Sequence, residues 1–335
     1  MKKNKWYIPV ILVLFPLVCA VAALCIGRLR IGVGEVFSSV LFHLFGVGEV
    51  GERMTELALW NIRFPRIILA ALCGAGLSAS GLTYQSLFAN PLATPDTLGV
   101  ASGASFGAAL GILIGFGTIG IQATSVIFGL VAVLLTVIAG GKNKRGMNTT
   151  VLAGIMIGSL FSALVSLVKL TADSETKLPA ITYWLMGSLD SANYKGLLWG
   201  SPLILTGIIV LLLLRWRLNL LPLTDEEAQS AGVNIKALRA VSIVCSTVIT
   251  ASVISMCGQV GWVGLLVPHF ARMLFGNDHR ITLPSSICIG AGFMIIVDTV
   301  ARSFSAAEFP VSILTAIIGA PFFIFMMRKK GGWEL

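Results

Sequence analysis

The sequence predicts an all-α integral membrane protein with about ten transmembrane helices. Of its 335 residues, 56% are hydrophobic and only 12% are charged, and that charged fraction is about half that of an ordinary soluble domain. The apolar runs are long, and each approaches the roughly 20 residues that a helix needs to cross a bilayer. The 36 glycines suit helices that approach one another closely in lipid. We therefore expect one transmembrane domain over 1–335.

The apolar runs define the order of the predicted spans. They are 8–27, 64–87, 98–116, 119–140, 149–170, 196–214, 240–257, 259–276, 282–303 and 310–327. Lysine and arginine are concentrated in both terminal segments and in alternate loops, which predicts that both termini are cytoplasmic. The first run follows three lysines, as in a signal peptide, but it is too long for one and no small-residue cleavage site closes it. We interpret it as a retained first span.

Two loops are long enough to have structure of their own. The predicted outer interfacial loop, 28–62, contains apolar residues at helical spacing over Val33–Phe45, which indicates an amphipathic helix lying on the membrane surface. The predicted cytoplasmic loop, 215–239, is the most polar stretch of the chain. Within the third span, Gly103, Gly107 and Gly111 recur every four residues and predict a smooth face for a neighbouring helix.

Composition also argues against several classes of function. The net charge of +9 is spread over membrane loops, which favours contact with anionic lipid over nucleic acid. None of the six cysteines forms a CxxC pair, so the sequence predicts neither a disulfide framework nor a metal site. The segment Gly140–Asn143 is the nearest match to a phosphate-binding loop, but it lacks the Ser/Thr and the first glycine of that motif. We expect no cofactor in this chain; if ATP drives its function, ATP and Mg²⁺ must be bound by a partner ATPase.

The cytoplasmic loop contains a capping box, in which Thr224 precedes Glu227 by three residues. This pattern predicts a short helix over Asp225–Ala231 that includes Glu226 and Ala228 and stops at Gly232. Asn234 can cap a second short helix over 235–239. Two capped helices suit a docking partner, although a solvated connector explains the same pattern.

Two sets of polar residues lie inside predicted spans. Asp298 is an acidic residue deep in an apolar run, and Arg302 on the same helical face is a suitable partner for a structural ion pair. A proton relay at Asp298 is the alternative. In the fifth span, four residues share one side of the helix and could line a translocation path or simply pack against a neighbour: Met156, Ser159, Ser162 and Ser166.

Several ordered blocks along the chain resemble the permease family for iron–siderophore, haem and vitamin B12 uptake. The blocks are Arg63–Arg66, Gly74–Leu77, Asn90–Pro95, Gly261–His269, Asp278–Arg280, Ala301–Arg302 and Gly319–Phe323. The resemblance covers essentially the whole chain. It implies a vitamin-B12-importer-like permease fold and a location in a bacterial cytoplasmic membrane. The implied partners are a second copy of the permease or a close homologue, two cytoplasmic ATPase subunits and an extracytoplasmic substrate-binding protein.

The same resemblance implies roles for particular residues. Arg63, Arg66 and Arg302 correspond to arginines on which the binding protein docks. Because Pro65 fixes the backbone at the start of the second span, we also expect the guanidinium groups of Arg63 and Arg66 to project outward. The helix that begins after Thr224 corresponds to the coupling helix, which contacts the ATPase. The inner gate corresponds to the segment before the fifth span, at Met147, Asn148 and Thr149.

Three classes of function remain open at this point. An importer subunit of the ATP-binding-cassette (ABC) type is favoured over an ion-coupled secondary carrier, which would need more titratable groups at mid-membrane. An integral-membrane enzyme would need a convergent set of catalytic side chains, and His43, His269 and His279 are scattered along the sequence. The cargo is also open between an iron–siderophore, haem, cobalamin and an oxyanion.

Overall fold

The computed structural model describes residues 7–47, 52–141, 147–304 and 308–328, and every regular element in these ranges is helical. The α-helices are α1 (Tyr7–Cys25), α2 (Val33–Phe45), α3 (Arg53–Leu57), α4 (Phe64–Leu87), α5 (Val100–Ile114), α6 (Thr118–Gly140), α7 (Met147–Thr171), α8 (Lys177–Leu185), α9 (Tyr194–Leu214), α10 (Asp225–Ser230), α11 (Ile235–Cys257), α12 (Val263–Phe275), α13 (His279–Phe304) and α14 (Val311–Arg328). A π-helical turn, Ala58–Arg63, joins α3 to α4, and a 3₁₀ turn, Arg217–Leu220, precedes α10.

The helices agree with the predicted membrane fold. Six are long and apolar enough to cross a membrane, and five shorter apolar helices accompany them. Four of the shorter helices coincide with predicted spans, whereas the fifth is α2, the predicted interfacial helix. Both α5 and α12 are short, at 15 and 13 residues, or about 20 Å each at the helical rise. Because the hydrocarbon core is about 30 Å thick, the predictions of full spans at 98–116 and 259–276 were too long.

Helix α4 lies at the centre of the bundle. Of its most apolar 18-residue window, 83% is buried, against 22% for α7. It packs against α9, α11, α12 and α13, so this helix of the first half of the sequence contacts four helices of the second half. Helix α7 is peripheral in the isolated chain and leaves much of its surface uncovered.

Glycines allow the closest of these helix contacts. A Cβ atom on Gly74 would lie 1.9 Å from the carbonyl oxygen of Gly290 in α13, and one on Gly81 would lie 1.8 Å from that of Gly264 in α12. The predicted glycine face of α5 packs on α6, where a Cβ on Gly107 would lie 2.3 Å from the carbonyl oxygen of Thr124. Membrane helices approach one another in this way because small residues permit backbone contact.

Two features of the loops differ from prediction. The second short helix over 235–239 is wrong as a separate element, because α11 runs without a break from Ile235 to Cys257. Its predicted cap is present, since the Oδ1 of Asn234 accepts a hydrogen bond from the backbone N of Ala237 at 3.1 Å. Helix α8 was not predicted, because nine residues interrupted by a proline give too little periodicity to identify a helix.

Candidate functional site: an arginine cluster and a capped polar loop at opposite ends of α4

A π-helical turn positions the first of the predicted docking residues. The turn ends at Arg63, directly before Phe64 and Pro65 at the start of α4. Proline has no N–H to donate to the carbonyl four residues earlier, and its ring clashes with that carbonyl. Widening the preceding turn to a π-helix relieves this conflict, and such turns are frequent at functional sites. Local backbone geometry therefore sets the directions of Arg63 and Arg66.

Arg66 bridges two carboxylates. Its Nε lies 2.8 Å and 3.0 Å from the two carboxylate oxygens of Asp298, and one terminal nitrogen lies 2.7 Å from Glu308 Oε2. Arg66 and Asp298 are 4% and 1% exposed, so this pair is buried at the junction of α4 and α13. The predicted pair of Asp298 with Arg302 is present at 3.9 Å, but Arg66 is the closer partner. Sequence reasoning missed it because the two residues are 232 positions apart.

The other two arginines also point inward. Arg63 donates to the carbonyl oxygens of Leu24 and Leu29, and Arg302 donates to that of Ala23. Our expectation that the guanidinium groups project outward was therefore wrong. The physical reason is that the last turn of α1 and the segment after it offer carbonyl oxygens whose helical partners are missing.

A cavity of about 220 Å³ opens beside these arginines. Its lining residues are Gly27, Arg28, Leu29, Ala58, Ile62, Arg63, Arg66, Arg302 and Glu308. Arg63, Arg66 and Arg302 contribute three guanidinium groups here, and Asp298 and Glu308 contribute two carboxylates; Arg28 is a further arginine of the cavity lining. The N-terminal end of α4 therefore has an excess of positive charge around a small opening. We refer to Arg63, Arg66, Arg302, Asp298 and Glu308 as the arginine cluster.

The loop 215–239 contains the predicted capping box. The backbone N of Thr224 donates to Glu227 Oε2 at 2.9 Å, and the backbone N of Glu227 lies 3.3 Å from Thr224 Oγ1. These bonds from Thr224 hold the pKa of the exposed Glu227 carboxyl below its ordinary value. Helix α10 ends with a hydrogen bond from the N of Val233 to the carbonyl oxygen of Ala228 at 3.2 Å, while Gly232 has a φ of +74°. This is the Schellman arrangement, and it requires a residue that tolerates a left-handed backbone.

The two faces of α10 differ. Glu226 and Glu227 are exposed, whereas Ala228 is fully buried against the rest of the chain. Ala228 therefore faces the permease itself and not a partner, in contrast to our expectation that it is a coupling contact. Among the described side chains of α10, the exposed carboxylates and Ser230 remain accessible to a second protein.

The predicted gate and path residues lie on α7. The helix begins at Met147, and the side chains of Met147 and Asn148 lie outside the described residues, as does the loop 142–146. Thr149 is partly buried and has an interaction partner. The four predicted path residues Met156, Ser159, Ser162 and Ser166 are all exposed on the uncovered face of α7.

Ser159 and Ser162 border a larger cavity of about 610 Å³ between α7 and the loop 88–99. Its lining residues are Phe88, Asn90, Leu92, Ala93, Thr94, Asp96, Thr97, Gly99, Ser102, Val151, Gly154, Ile155, Gly158, Ser159 and Ser162. Hydroxyl and amide groups are well represented among them, and no lysine or arginine contributes. Met156 and Ser166 are not part of this lining.

Sequence reasoning also missed a polar cluster at the C-terminal end of α4. Ser86 Oγ lies 2.6 Å from His279 Nε2, and His279 Nδ1 lies 2.8 Å from Asn219 Oδ1. Arg272 donates a hydrogen bond to Oε1 of Gln85, the residue before Ser86. His279, directly after the acidic Asp278, was the feature of the sequence that could have indicated this cluster, but its partners come from distant parts of the sequence. Among the described residues, no group of three His, Cys, Asp or Glu side chains could hold a metal ion.

A bundle of apolar helices with a charged cluster at one end and a capped polar loop at the other defines a membrane transport permease. A family model described as the FecCD transport family matches residues 13–329, and the chain belongs to that family. The alternatives of an ion-coupled carrier and a membrane enzyme are therefore not supported. Proteins of this kind are permease subunits of ABC transporters, in which a separate subunit hydrolyses ATP.

Relatives and a solved structure extend this assignment over nearly the whole chain. The molybdate import system permease protein MolB of Haemophilus influenzae is 40% identical over 324 residues, which are 96% of this chain and 96% of that protein. The hemin transport system permease protein HmuU of Yersinia pestis is 36% identical over 287 residues, 82% of this chain and 86% of that protein. A solved structure described as a metal-chelate type ABC transporter in an inward-facing conformation superposes with a TM-score of 0.84, at 39% identity. That match covers 93% of this chain and 96% of the other.

Proposed function

We propose that this chain is the membrane-spanning subunit of an ABC importer that carries a metal chelate of the iron–siderophore, haem or cobalamin type. The observation that carries the proposal is the cavity between α7 and the loop 88–99. It is large, its lining contains hydroxyl and amide groups, and it has one carboxylate, Asp96, and no cationic side chain. Such a surface suits a bulky ligand whose metal is already coordinated, because it offers neither strong metal ligands nor a counter-charge for an anion.

A molybdate-type oxyanion is the second candidate cargo. The similarity to MolB over 96% of both chains favours it. The absence of lysine and arginine from the described cavity lining opposes it, because a doubly charged oxyanion needs positive charge or oriented N–H donors when it leaves water.

In either case we propose that a second copy of the chain, or a close homologue, packs on the uncovered face of α7 and completes the path. We further propose that α10 faces the cytoplasm and that both termini lie there too.

Uptake measurements distinguish these candidates. We expect proteoliposomes with the permease, its ATPase and its binding protein to accumulate ⁵⁵Fe-labelled ferric siderophore, hemin or cobalamin when ATP is inside. Labelled molybdate tests the second candidate in the same vesicles. Accumulation should persist when an uncoupler removes the proton gradient at constant ATP, because energy comes from the ATPase subunit. Uptake of molybdate alone would contradict the chelate proposal, and uptake without ATP would contradict the ABC mechanism.

We also propose that the binding protein docks at the arginine cluster through its own carboxylates. The excess of one positive charge in the cluster and the opening beside it support this role, since arginine binds carboxylates with a bidentate fork. In the free permease Glu308 already occupies one terminal nitrogen of Arg66 and is about 25% exposed. A docking carboxylate would therefore compete with Glu308 for this guanidinium group.

This competition predicts the effect of Glu308→Gln. Removing the internal carboxylate should tighten binding of the binding protein about fivefold at low salt, which corresponds to about 1 kcal/mol. Surface plasmon resonance on permease in nanodiscs measures the affinity. Glu35→Gln is the matched control, because Glu35 is an exposed carboxylate on α2 outside the cluster. Equal effects of the two substitutions, or weaker binding of Glu308→Gln, would place docking elsewhere.

A further inference from the structure

A buried chain of hydrogen bonds at the inner end of the bundle joins three distant parts of the sequence. Ser86 is in the last turn of α4, His279 is the first residue of α13, and Asn219 lies in the 3₁₀ turn before α10. The bonds are 2.6 Å from Ser86 Oγ to His279 Nε2 and 2.8 Å from His279 Nδ1 to Asn219 Oδ1. Ser86 and His279 are only 7% and 6% exposed. Water therefore does not compete effectively for these bonds.

The donors and acceptors determine which atom carries the proton in each of these hydrogen bonds. The amide nitrogen of Asn219 donates to Asp278 Oδ1 at 2.9 Å, so its oxygen faces His279. That oxygen accepts from the backbone N of His279 at 2.9 Å and from the ring. Because an amide oxygen cannot donate, Nδ1 of His279 carries the proton. In the neutral ring Nε2 is then an acceptor. The Ser86 hydroxyl, which is also within hydrogen-bond distance of the carbonyl oxygen of Leu82 at 3.0 Å, donates its one proton to Nε2 at the shorter distance of 2.6 Å.

Each end of this series of hydrogen bonds leads to a part of the protein with a proposed role. Asn219 lies between Leu218 and Leu220, and Leu218 and Leu221 are buried, which anchors the turn that leads into α10. Ser86 lies directly before the loop 88–99, whose Asn90 N donates to the carbonyl oxygen of Gln85 at 3.0 Å. Arg272 from α12 donates to Gln85 Oε1 in the same turn of α4.

We propose that Ser86, His279 and Asn219 are positioning residues that transmit movement of α10 to the loop 88–99. The inference rests on the proposed function of α10 as the contact with the ATPase. This network resists sliding, because Ser86 and His279 are buried and breaking their hydrogen bond leaves polar groups unsatisfied where water has little access. Apolar side chains at these positions would pack but would allow the two parts to shift separately. The network therefore makes α10 and the inner end of α4 move as one unit.

A distance measurement on the assembled transporter tests this role. An encoded spin-label amino acid at Leu92, which is 50% exposed in the loop, leaves the six native cysteines unchanged. The label-to-label distance in the permease–ATPase complex in nanodiscs is measured with and without ATP and vanadate. In the wild type we expect vanadate trapping to shift this distance. In His279→Ala and in Ser86→Ala we expect trapping to persist while the shift is lost or at least halved.

Ser80→Ala is the matched control. Ser80 is another buried serine of α4, and its hydroxyl donates to the carbonyl oxygen of Ser246 in α11 at 3.2 Å. It should keep the wild-type shift, because it lies outside the network. The proposal is overturned if the wild type shows no shift, if both network variants retain it, or if Ser80→Ala loses it equally. Ser86→Ala decides the outcome if His279→Ala does not assemble, because it removes only one hydroxyl. Failure of the wild-type complex to trap vanadate would instead contradict the proposed function.

Discussion

Replacing Arg66 with leucine is expected to destabilise the folded permease by about 3–5 kcal/mol, because a buried charge pair loses one partner. Arg66 is the closest cation to Asp298 and also pairs with Glu308 at 2.7 Å. Without it, a carboxylate that is 1% exposed keeps only Arg302, at 3.9 Å. Thermal unfolding of detergent-solubilised protein, followed by fluorescence-detected size exclusion, measures the loss.

A double substitution separates the ion pair from simple packing. If the cost of Arg66→Leu arises from the unpaired carboxylate, adding Asp298→Asn should restore part of the lost stability, since the remaining polar group is neutral. Arg53→Leu is the control, because Arg53 is an exposed arginine of α3, and its replacement should have little effect. A melting temperature of Arg66→Leu equal to that of Arg53→Leu would show that the buried pair contributes nothing. For the same reason, Arg66→Glu is unsuitable as a test of docking, because it would lower the stability of the permease as well as any affinity for the binding protein.

The sequence predicted those parts of the fold that depend on local pattern. Hydrophobic runs identified the spans because a helix that crosses lipid needs about 20 consecutive, mostly apolar residues. The interfacial helix α2 has the predicted bounds, Val33–Phe45. The capping box at Thr224 and Glu227 is formed by reciprocal hydrogen bonds. Each of these features is decided by residues that are neighbours in sequence or lie within one or two helical turns.

The sequence could not predict features that depend on how the helices pack. Arg66 finds Asp298 across 232 positions, and Ser86 finds His279 across 193. The expectation that Arg63 and Arg66 point outward followed from their place at a helix start. It failed because a carbonyl oxygen at the end of α1 accepts from Arg63, while Asp298 and Glu308 accept from Arg66. The burial of Ala228 is similar, since α10 has too few residues to show which face packs. Pairings of this kind follow from the three-dimensional arrangement and not from spacing along the chain.

The two polar ends of α4 suggest how the whole molecule works as a transporter. At its N-terminal end α4 meets α13 through Arg66 and Asp298, and at its C-terminal end it meets α13 again through Ser86 and His279. The two helices are antiparallel and are joined by polar contacts at both ends, with glycine-mediated backbone contact between them at Gly74 and Gly290. We infer that they form a rigid unit between the proposed docking surface and the proposed ATPase contact at α10. A rigid element with partners at both ends is one physical route for coupling between distant sites.

Gly232→Pro is expected to abolish transport while leaving membrane insertion unchanged. The residue has a φ of +74°, whereas proline is restricted to a φ near −65°. The substitution should break the Schellman arrangement that ends α10 and displace the exposed Glu226 and Glu227 from the position in which a partner can contact them. We expect the ATPase activity stimulated by loaded binding protein in proteoliposomes to fall by at least about tenfold, which corresponds to about 1.4 kcal/mol of lost coupling.

Gly232→Asn is the matched control, because asparagine tolerates the left-handed backbone and should retain most activity. Deletion of 225–231 should match Gly232→Pro, since it removes α10 altogether. Normal stimulation of the deletion variant would show that the ATPase is coupled through another surface, whereas equal loss in Gly232→Asn and Gly232→Pro would assign the effect to the glycine itself and not to the helix stop.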